Sequence, residues 1–196
     1  MVVSPSLPAK TVRDLVAMAK AKPGQLNYAS GGIGTSTHLP AEMFRAMTGV
    51  NMVHVPYKGG GLALIGVISG ESQMLVISAV AALPHVKSEK LRAMAVTSAK
   101  RWTEMPEVPT VAESGVPGYE VVVWCGLFAP TGTPRPIITL LHREIVKVLQ
   151  TPDMVERLAR DGAQPVGSLP AELTAINRAE VEKWAKVVRS ARIKVE

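Results

Sequence analysis

Ser30-Gly31-Gly32-Ile33-Gly34-Thr35-Ser36-Thr37-His38 joins the short run 26–30 to a stretch in which Leu39, Met43, Ala46 and Met47 share one helical face. Read as strand, glycine-rich turn and helix, it is one unit of a β–α alternation. Gly49 stands where a left-handed residue would close that helix. Upstream, Thr11-Val12-Arg13-Asp14 has the spacing of a capping box, in which hydroxyl and carboxylate satisfy free amides of a first helical turn. Val12, Leu15, Val16 and Ala19 supply that helix's apolar face, and Lys22-Pro23-Gly24 stops it. Before it, Val2-Val3 reads as the end of a buried strand, and Ser4-Pro5-Ser6-Leu7-Pro8 as the loop that follows.

Downstream the alternation continues. A strand over 52–55 leads through Pro56-Tyr57-Lys58 and Gly59-Gly60-Gly61 into an apolar helix over 62–68 that ends at Gly70. A strand over 73–77, a helix over 81–88 and a strand over 91–97 follow. Strands separated by helices at this spacing predict an α/β fold with a mostly parallel sheet. After 97 the texture changes: residues 100–118 carry three prolines, two glycines and a second capping-box spacing at Thr110 and Glu113. An apolar, β-branched strand is expected over 120–129, with Cys125 as an inert core thiol. Beyond it the chain reads as helix. Thr133 caps one that begins with Pro134 and turns Leu140, Leu141, Ile145 and Val148 inward. Thr151-Pro152 starts another that ends at Asp161-Gly162. Ser168 opens a third over 171–189, with Leu173, Ile176, Trp184, Val187 and Val188 inward. A boundary near Glu120 divides a βα lobe, 1–120, from a strand plus helices, 121–196, that lack a sheet of their own.

Composition excludes several classes. The 196 residues are 47% hydrophobic and 19% charged, which argues for a folded globular chain rather than a disordered one. A single cysteine excludes a disulfide framework and a zinc ribbon. The apolar stretches fall short of the ~20 residues that span a bilayer. A net charge of +6 permits an acidic partner, but aromatics are only 4% and the basic residues are scattered, so nucleic acid is not expected. Attraction of small anions suits the charge better.

Enzyme signatures fail. There is no Gly-x-Ser-x-Gly elbow, no His-Glu-x-x-His and no phosphate-loop Gly-Lys-Ser/Thr, and Thr37 stands where a dinucleotide fingerprint requires its third glycine. His38, His54, His85 and His142 lie apart in sequence without metal-ligand spacing, and each reads as structural or surface. No enzyme activity, cofactor or metal is expected.

The loop quoted first does carry chemistry. Open α/β sheets bind ligands beyond the carboxyl ends of their strands. Free amides at a helix start favour an anion there. Glycines admit close approach, Ser30, Thr35, Ser36 and Thr37 offer hydroxyls, and no acid repels a carboxylate. The alternative is that one hydroxyl caps the helix and the glycines shape a turn; spacing leaves the two equal. Tyr57-Lys58-Gly59-Gly60 and Ser78-Ala79-Val80 are further strand-to-helix loops for the same edge, with Lys58 either a source of charge or a solvated lysine.

These segments, in order, resemble a known family. Asn27-Tyr28-Ala29-Ser30 with the loop to His38, then Val53-His54-Val55-Pro56-Tyr57-Lys58-Gly59, Lys90-Leu91-Arg92-Ala93-Met94-Ala95-Val96-Thr97-Ser98, Pro106-Glu107-Val108-Pro109-Thr110-Val111-Ala112-Glu113-Ser114-Gly115 and Trp124-Cys125-Gly126-Leu127-Phe128-Ala129-Pro130-Thr131-Gly132-Thr133-Pro134 are similar to periplasmic solute-binding proteins of tripartite tricarboxylate transporters, the Bug-type family. The resemblance runs from about Val2 to Ile193. It implies a type II periplasmic-binding-protein-like fold that closes two lobes around a small carboxylate and delivers it to membrane permease subunits. It places Ser30, Gly31, Gly34, Thr35, Ser36 and Thr37 in the carboxylate-holding loop, with Tyr57, Lys58, Ser78 and Ala79 beside it. Where the family often carries an acidic or amide residue, this chain has Ser78-Ala79.

Against the family pattern, the first half of lobe one and its secretion signal have no counterpart here. Residues 1–120 then correspond to one complete lobe. Residues 121–196 correspond to the hinge strand and C-terminal helices of an incomplete one. The expected partners are a carboxylate, a permease and a second copy or N-terminal-half chain to cover the apolar faces. The expected location is periplasmic by resemblance, or cytoplasmic if Met1 is the natural start. The alternative is a truncated remnant without ligand binding, acting through a partner chain if at all.

Overall fold

β1 (Val2–Val3) is the fourth strand of a five-stranded sheet ordered β3-β2-β4-β1-β5. The other strands are β2 (Asn27–Ser30), β3 (Val53–Pro56), β4 (Met74–Leu75) and β5 (Arg92–Ala93). The computed structural model describes residues 1–160 and 162–193. β2 pairs in parallel with β3 and β4, whereas β1 is antiparallel to both β4 and β5. The mostly parallel sheet is therefore corrected to a mixed one. The strands of the alternating series, β2 to β5, all run one way, as crossover helices require. β1 precedes that series and fills the slot between β4 and β5 in the opposite direction.

β4 and β5 are also shorter than expected, two residues each against 73–77 and 91–97. Their ladders are no longer than β1, with Val2 facing Leu75 and Ala93, and Val3 facing Met74 and Arg92.

Alternation of side chains across the sheet builds two cores. Val3, Tyr28 and Met74 join Val12, Leu15 and Ala19 of α1 (Val12–Ala21) and Phe44 of α2 (His38–Thr48) on one face. Val2, Ala29 and Leu75 join Ala63, Leu64 and Val67 of α3 (Gly60–Ile68) and Ala82 of α4 (Ala79–Lys87) on the other. α1 is opened by the expected box: Asp14 N–H donates to Thr11 Oγ1 at 3.1 Å, and Thr11 N–H to Asp14 Oδ2 at 2.9 Å. α2 closes at Gly49 with φ 69°. The second box forms at Thr110 and Glu113, on a single turn. Val111, Val116 and Tyr119 complete the first core, where the Tyr119 hydroxyl donates to Pro40 O at 3.0 Å.

Residues 120–129 are not a strand. Val121 is buried and its N–H donates to Thr97 O at 2.8 Å, but the chain beyond is unpaired, and Leu127 and Phe128 are 74% and 67% exposed. A strand exists only as a paired ladder, and no described segment presents an edge to 122–129. Cys125 is accordingly exposed, not a core thiol.

The chain divides into two compact units: Met1–Val123 with the residues from Trp184 onward, and Trp124–Lys183. The second holds α5 (Arg135–Leu149), α6 (Pro152–Arg160) and the start of α7 (Pro170–Ser190), whose last turns belong to the first. Thr133 does not cap α5; its hydroxyl donates to Pro130 O at 2.8 Å, and Pro134 holds the cap position. At the start of α7, Glu172 accepts from Leu169 N–H at 2.8 Å, where Ser168 had been expected to cap. Trp184 packs on the first core and Val187 is buried, but the expected inward residues Leu140, Leu141, Val148 and Ile176 are exposed. The expected stop of α6 at Asp161 lies outside the described residues.

Candidate functional site

The register of the parallel strands brings three loops to one sheet edge. Ser30 faces Pro56 and Ala29 faces Leu75, so β2, β3 and β4 end together. The loops that leave them open α2, α3 and α4. None of the three cap residues, Thr37, Gly59 and Ser78, makes a side-chain capping bond. The first-turn amides of Gly60, Gly61 and Leu62, and of Ala79, Val80 and Ala81, find no acceptor among the described residues. At α2 the His38 and Leu39 N–H groups both donate to Thr35 O and Pro40 has none, so the free amides at that start are those of Ser36 and Thr37. With the two free helix starts of α3 and α4 they make the edge electropositive without a side-chain charge.

The Ser30 loop is tied to its neighbour by backbone. Tyr57 N–H donates to Ser30 O at 2.8 Å and Gly59 N–H to Gly31 O at 3.1 Å. The approach is close enough that a Cβ on Gly31 would lie 2.8 Å from Gly60 N and 2.9 Å from Gly59 C. Gly32 and Gly34 adopt φ of 122° and 74°, where only glycine is unstrained.

Within the loop most hydroxyls have structural partners. Thr37 Oγ1 accepts from Gly31 N–H at 2.7 Å, Thr35 Oγ1 donates to Gly32 O at 2.7 Å, and Thr35 and Thr37 hydroxyls bond at 3.0 Å. Ser30 is fully buried, and its Oγ accepts from Gly32 N–H at 3.1 Å. Ser36 is exposed and neither its hydroxyl nor its N–H meets a described acceptor or donor. The Tyr57 side chain packs on Gly66 of α3, with its hydroxyl 3.5 Å from Ser72 Oγ, so only its backbone joins the loop. Lys58 is exposed. Ser78 caps α4 through its backbone carbonyl, which accepts from Ala82 N–H at 3.2 Å. Gly60 lies against Ile77, which sets the third loop beside the second.

One cluster was missed by sequence reasoning. His38 and His54, taken as separate structural residues, stack with ring centroids 4.1 Å apart, and Tyr28 stacks on His54 at 4.9 Å. Ser30 Oγ and His54 Nε2 are 2.6 Å apart in a hydrogen bond. Gly34 N–H donates to His38 Nδ1 at 3.1 Å. Behind the stack, the Tyr28 hydroxyl donates to the buried Glu42 carboxylate, which also takes Arg45 at 2.5 Å. Burial, then its neighbour His38, lowers the His54 imidazole to about 4, and burial lowers His38 as well. Burial and the bond to Glu42 hold the Tyr28 phenol protonated far beyond its ordinary range. The signal that pairs Tyr28 with His54 is cross-strand register, which becomes visible only once β2 and β3 are aligned.

Among the described residues no group of His, Cys, Asp or Glu is placed to hold a metal, and no helix is long and apolar enough to cross a membrane.

Known proteins share this fold. The family model described as tripartite tricarboxylate transporter family receptor matches residues 1–193. The chain is 38% identical over 185 residues to a UPF0065 protein from the tcbD-tcbE intergenic region of Pseudomonas sp. (strain P51), covering 94% of this chain and 55% of that protein. It is 36% identical over 196 residues to the protein BugT of Bordetella pertussis, covering 100% of this chain and 60% of that one. Among solved structures, Rpa4515 of R. palustris with adipate superposes with a TM-score of 0.90 at 36% identity, covering 98% of this chain and 64% of that one. MatC from Rhodopseudomonas palustris with bound malate superposes with a TM-score of 0.86 at 28% identity, covering 95% and 65%. The chain thus spans 55% and 60% of these two relatives and about two thirds of the two solved chains.

Proposed function

The chain belongs to the tripartite tricarboxylate transporter receptor family, and on that premise we propose that its β2–α2 loop captures a small carboxylate for a membrane permease. The family and the structural neighbours are solute-binding proteins, not enzymes. The observation that carries the reading is the sheet edge at which α2, α3 and α4 all begin without side-chain caps. Free amides there replace the hydration of an anion. The ligands named for two neighbours, adipate and malate, are both dicarboxylates.

In this reading Ser36 offers its hydroxyl and amide directly, and Thr37 its amide. Ser30, Gly31, Gly34 and Thr35 hold the loop in shape. The Gly60–Leu62 amides and the amides that follow Ser78 at Ala79 extend the cradle, Tyr57 ties the two loops through its backbone, and Lys58 adds long-range attraction. Residues 1–120 act as one lobe, and 121–196 supply the hinge segment and C-terminal helices of the other. Two-lobe closure around the ligand then signals a permease, and the whole protein acts in the periplasm. The exposed apolar residues Leu127, Phe128, Leu140 and Leu141 support a covering partner, either further chain of the same protein or a second copy.

Titration of the chain with adipate and with malate, followed by amide NMR, tests the reading. Shifts confined to 36–37, 59–62 and 78–81, with a Kd of about 1 mM or weaker for one lobe's share of the site, are expected. Absence of any shift with either acid, or shifts elsewhere only, rejects it.

A further inference from the structure

We propose that His54, with His38 stacked on it, is a positioning residue for the Ser30–Thr37 loop, an inference that rests on the carboxylate-capture reading above. Among the described residues the loop is hydrogen-bonded to side chains outside itself at two points, and both anchors are imidazoles. Ser30 at the end of β2 bonds His54 Nε2 from the neighbouring strand at 2.6 Å. Gly34, in mid-loop, donates its N–H to Nδ1 of His38, the first residue of α2, at 3.1 Å. The two rings lie 4.1 Å apart with an interplanar angle of 24°, and Tyr28 backs them on β2. One stacked slab therefore ties the strand, the loop and the helix start together, while the Ser36 and Thr37 N–H groups have no acceptor among the described residues.

The device needs neutral rings. Nδ1 of His38 accepts a backbone N–H only when it carries no proton, and two stacked imidazolium ions would repel. The groups facing the stack do not favour a second charge. Glu42 of α2 is 3.9 Å from His38 Nε2, but it is already matched by Arg45 at 2.5 Å and by the Tyr28 hydroxyl. Arg45 also lies over the Tyr28 ring at 5.7 Å. Burial lowers both imidazoles, His54 to about 4, so the slab is neutral at pH 7 and charges only in acid. Loop order, and carboxylate capture with it, is full above the ordinary imidazole value near 6.5 and is lost as pH falls through about 4.

Amide hydrogen exchange on the intact chain, corrected for intrinsic rates, tests this with His54→Phe and His54→Gln. Phe keeps a ring against Tyr28 and loses the bond to Ser30; Gln keeps a group that bonds it. Exchange of Gly31, Gly32 and Gly34 is expected to rise about tenfold or more in H54F, with α1 unchanged, and to return toward wild type in H54Q. Loop exchange equal to wild type in H54F, or a uniform rise across the sheet, overturns the proposal. Should H54F fail to fold, 15N spectra of wild-type His38 at pH 7 decide: the tautomer with its proton on Nε2 is expected, and a proton on Nδ1 overturns it. Malate titration runs in parallel. If wild type binds malate and a folded H54F binds it equally, the positioning role fails; if wild type binds no malate, the capture reading fails and the loop exchange alone decides the inference.

Discussion

Gly31 and Gly60 meet backbone to backbone: a single methyl carbon on Gly31 would sit 2.8 Å from the Gly60 nitrogen. This contact fuses the loop after β2 with the start of α3, and it requires that Gly31 carry no side chain. Neither partner is a flexible side-chain end, so the clash is relieved only by moving backbone.

Gly31→Ala is therefore expected to destabilise the first unit by about 1–3 kcal/mol, the usual range for overpacking a tight site. Thermal unfolding of the variant beside wild type measures it. An unchanged midpoint would mean that the two loops separate freely.

Glu42→Gln removes the carboxylate shared by Tyr28 and Arg45. Glu42 is buried, and the substitution leaves a guanidinium without its counter-charge. A loss of about 1–3 kcal/mol in chemical unfolding is expected, at the charged end of the hydrogen-bond range. Tyr28→Phe, which removes only a neutral donor, is expected to cost less.

The depressed imidazoles set a pH dependence. Between about 4 and 6.5 the folded chain binds fewer protons at His54 than the unfolded chain does, so stability rises with pH across that window. The contribution is complete above 6.5 and disappears as pH falls through about 4. Urea midpoints at pH 7 and pH 4.5 measure it, and His54→Gln is expected to flatten the difference. A midpoint that is higher in acid would contradict the sign.

Leu127 and Phe128 are exposed on the segment beyond Val121. Replacing both by Ser is expected to change the stability of the first unit by no more than about 0.5 kcal/mol, as for surface positions generally. Self-association in sedimentation is expected to fall, since the substitution removes an apolar patch. Equal association in both proteins would show that this segment makes no contact between copies.

Much of this molecule was readable in advance where the determining forces are local. The Thr11–Asp14 and Thr110–Glu113 boxes, the left-handed Gly49 and the glycine loop after Ser30 each depend on residues within a few positions of one another, and all form. The apolar face of α1 also forms: Val12, Leu15 and Ala19 are buried, and the partly buried Val16 packs against the same core. The run 120–129 was misread because β-branched composition describes a surface suited to pairing but supplies no partner. Amphipathic spacing likewise turned Leu140 and Ile176 inward on α5 and α7, but spacing defines a stripe without providing what covers it.

The amino-acid sequence by itself determined the β–α alternation, the shared direction of β2 to β5, the family and the segment that opens α2. Short-range hydrogen bonding and apolar periodicity suffice for these. Only the tertiary structure decided that β1 enters antiparallel between β4 and β5, and that His54 reaches Ser30 while stacking on His38 and Tyr28. Those relationships join residues 16 to 91 positions apart. Strand order and register create them, and no pattern along the chain encodes either until the sheet has closed.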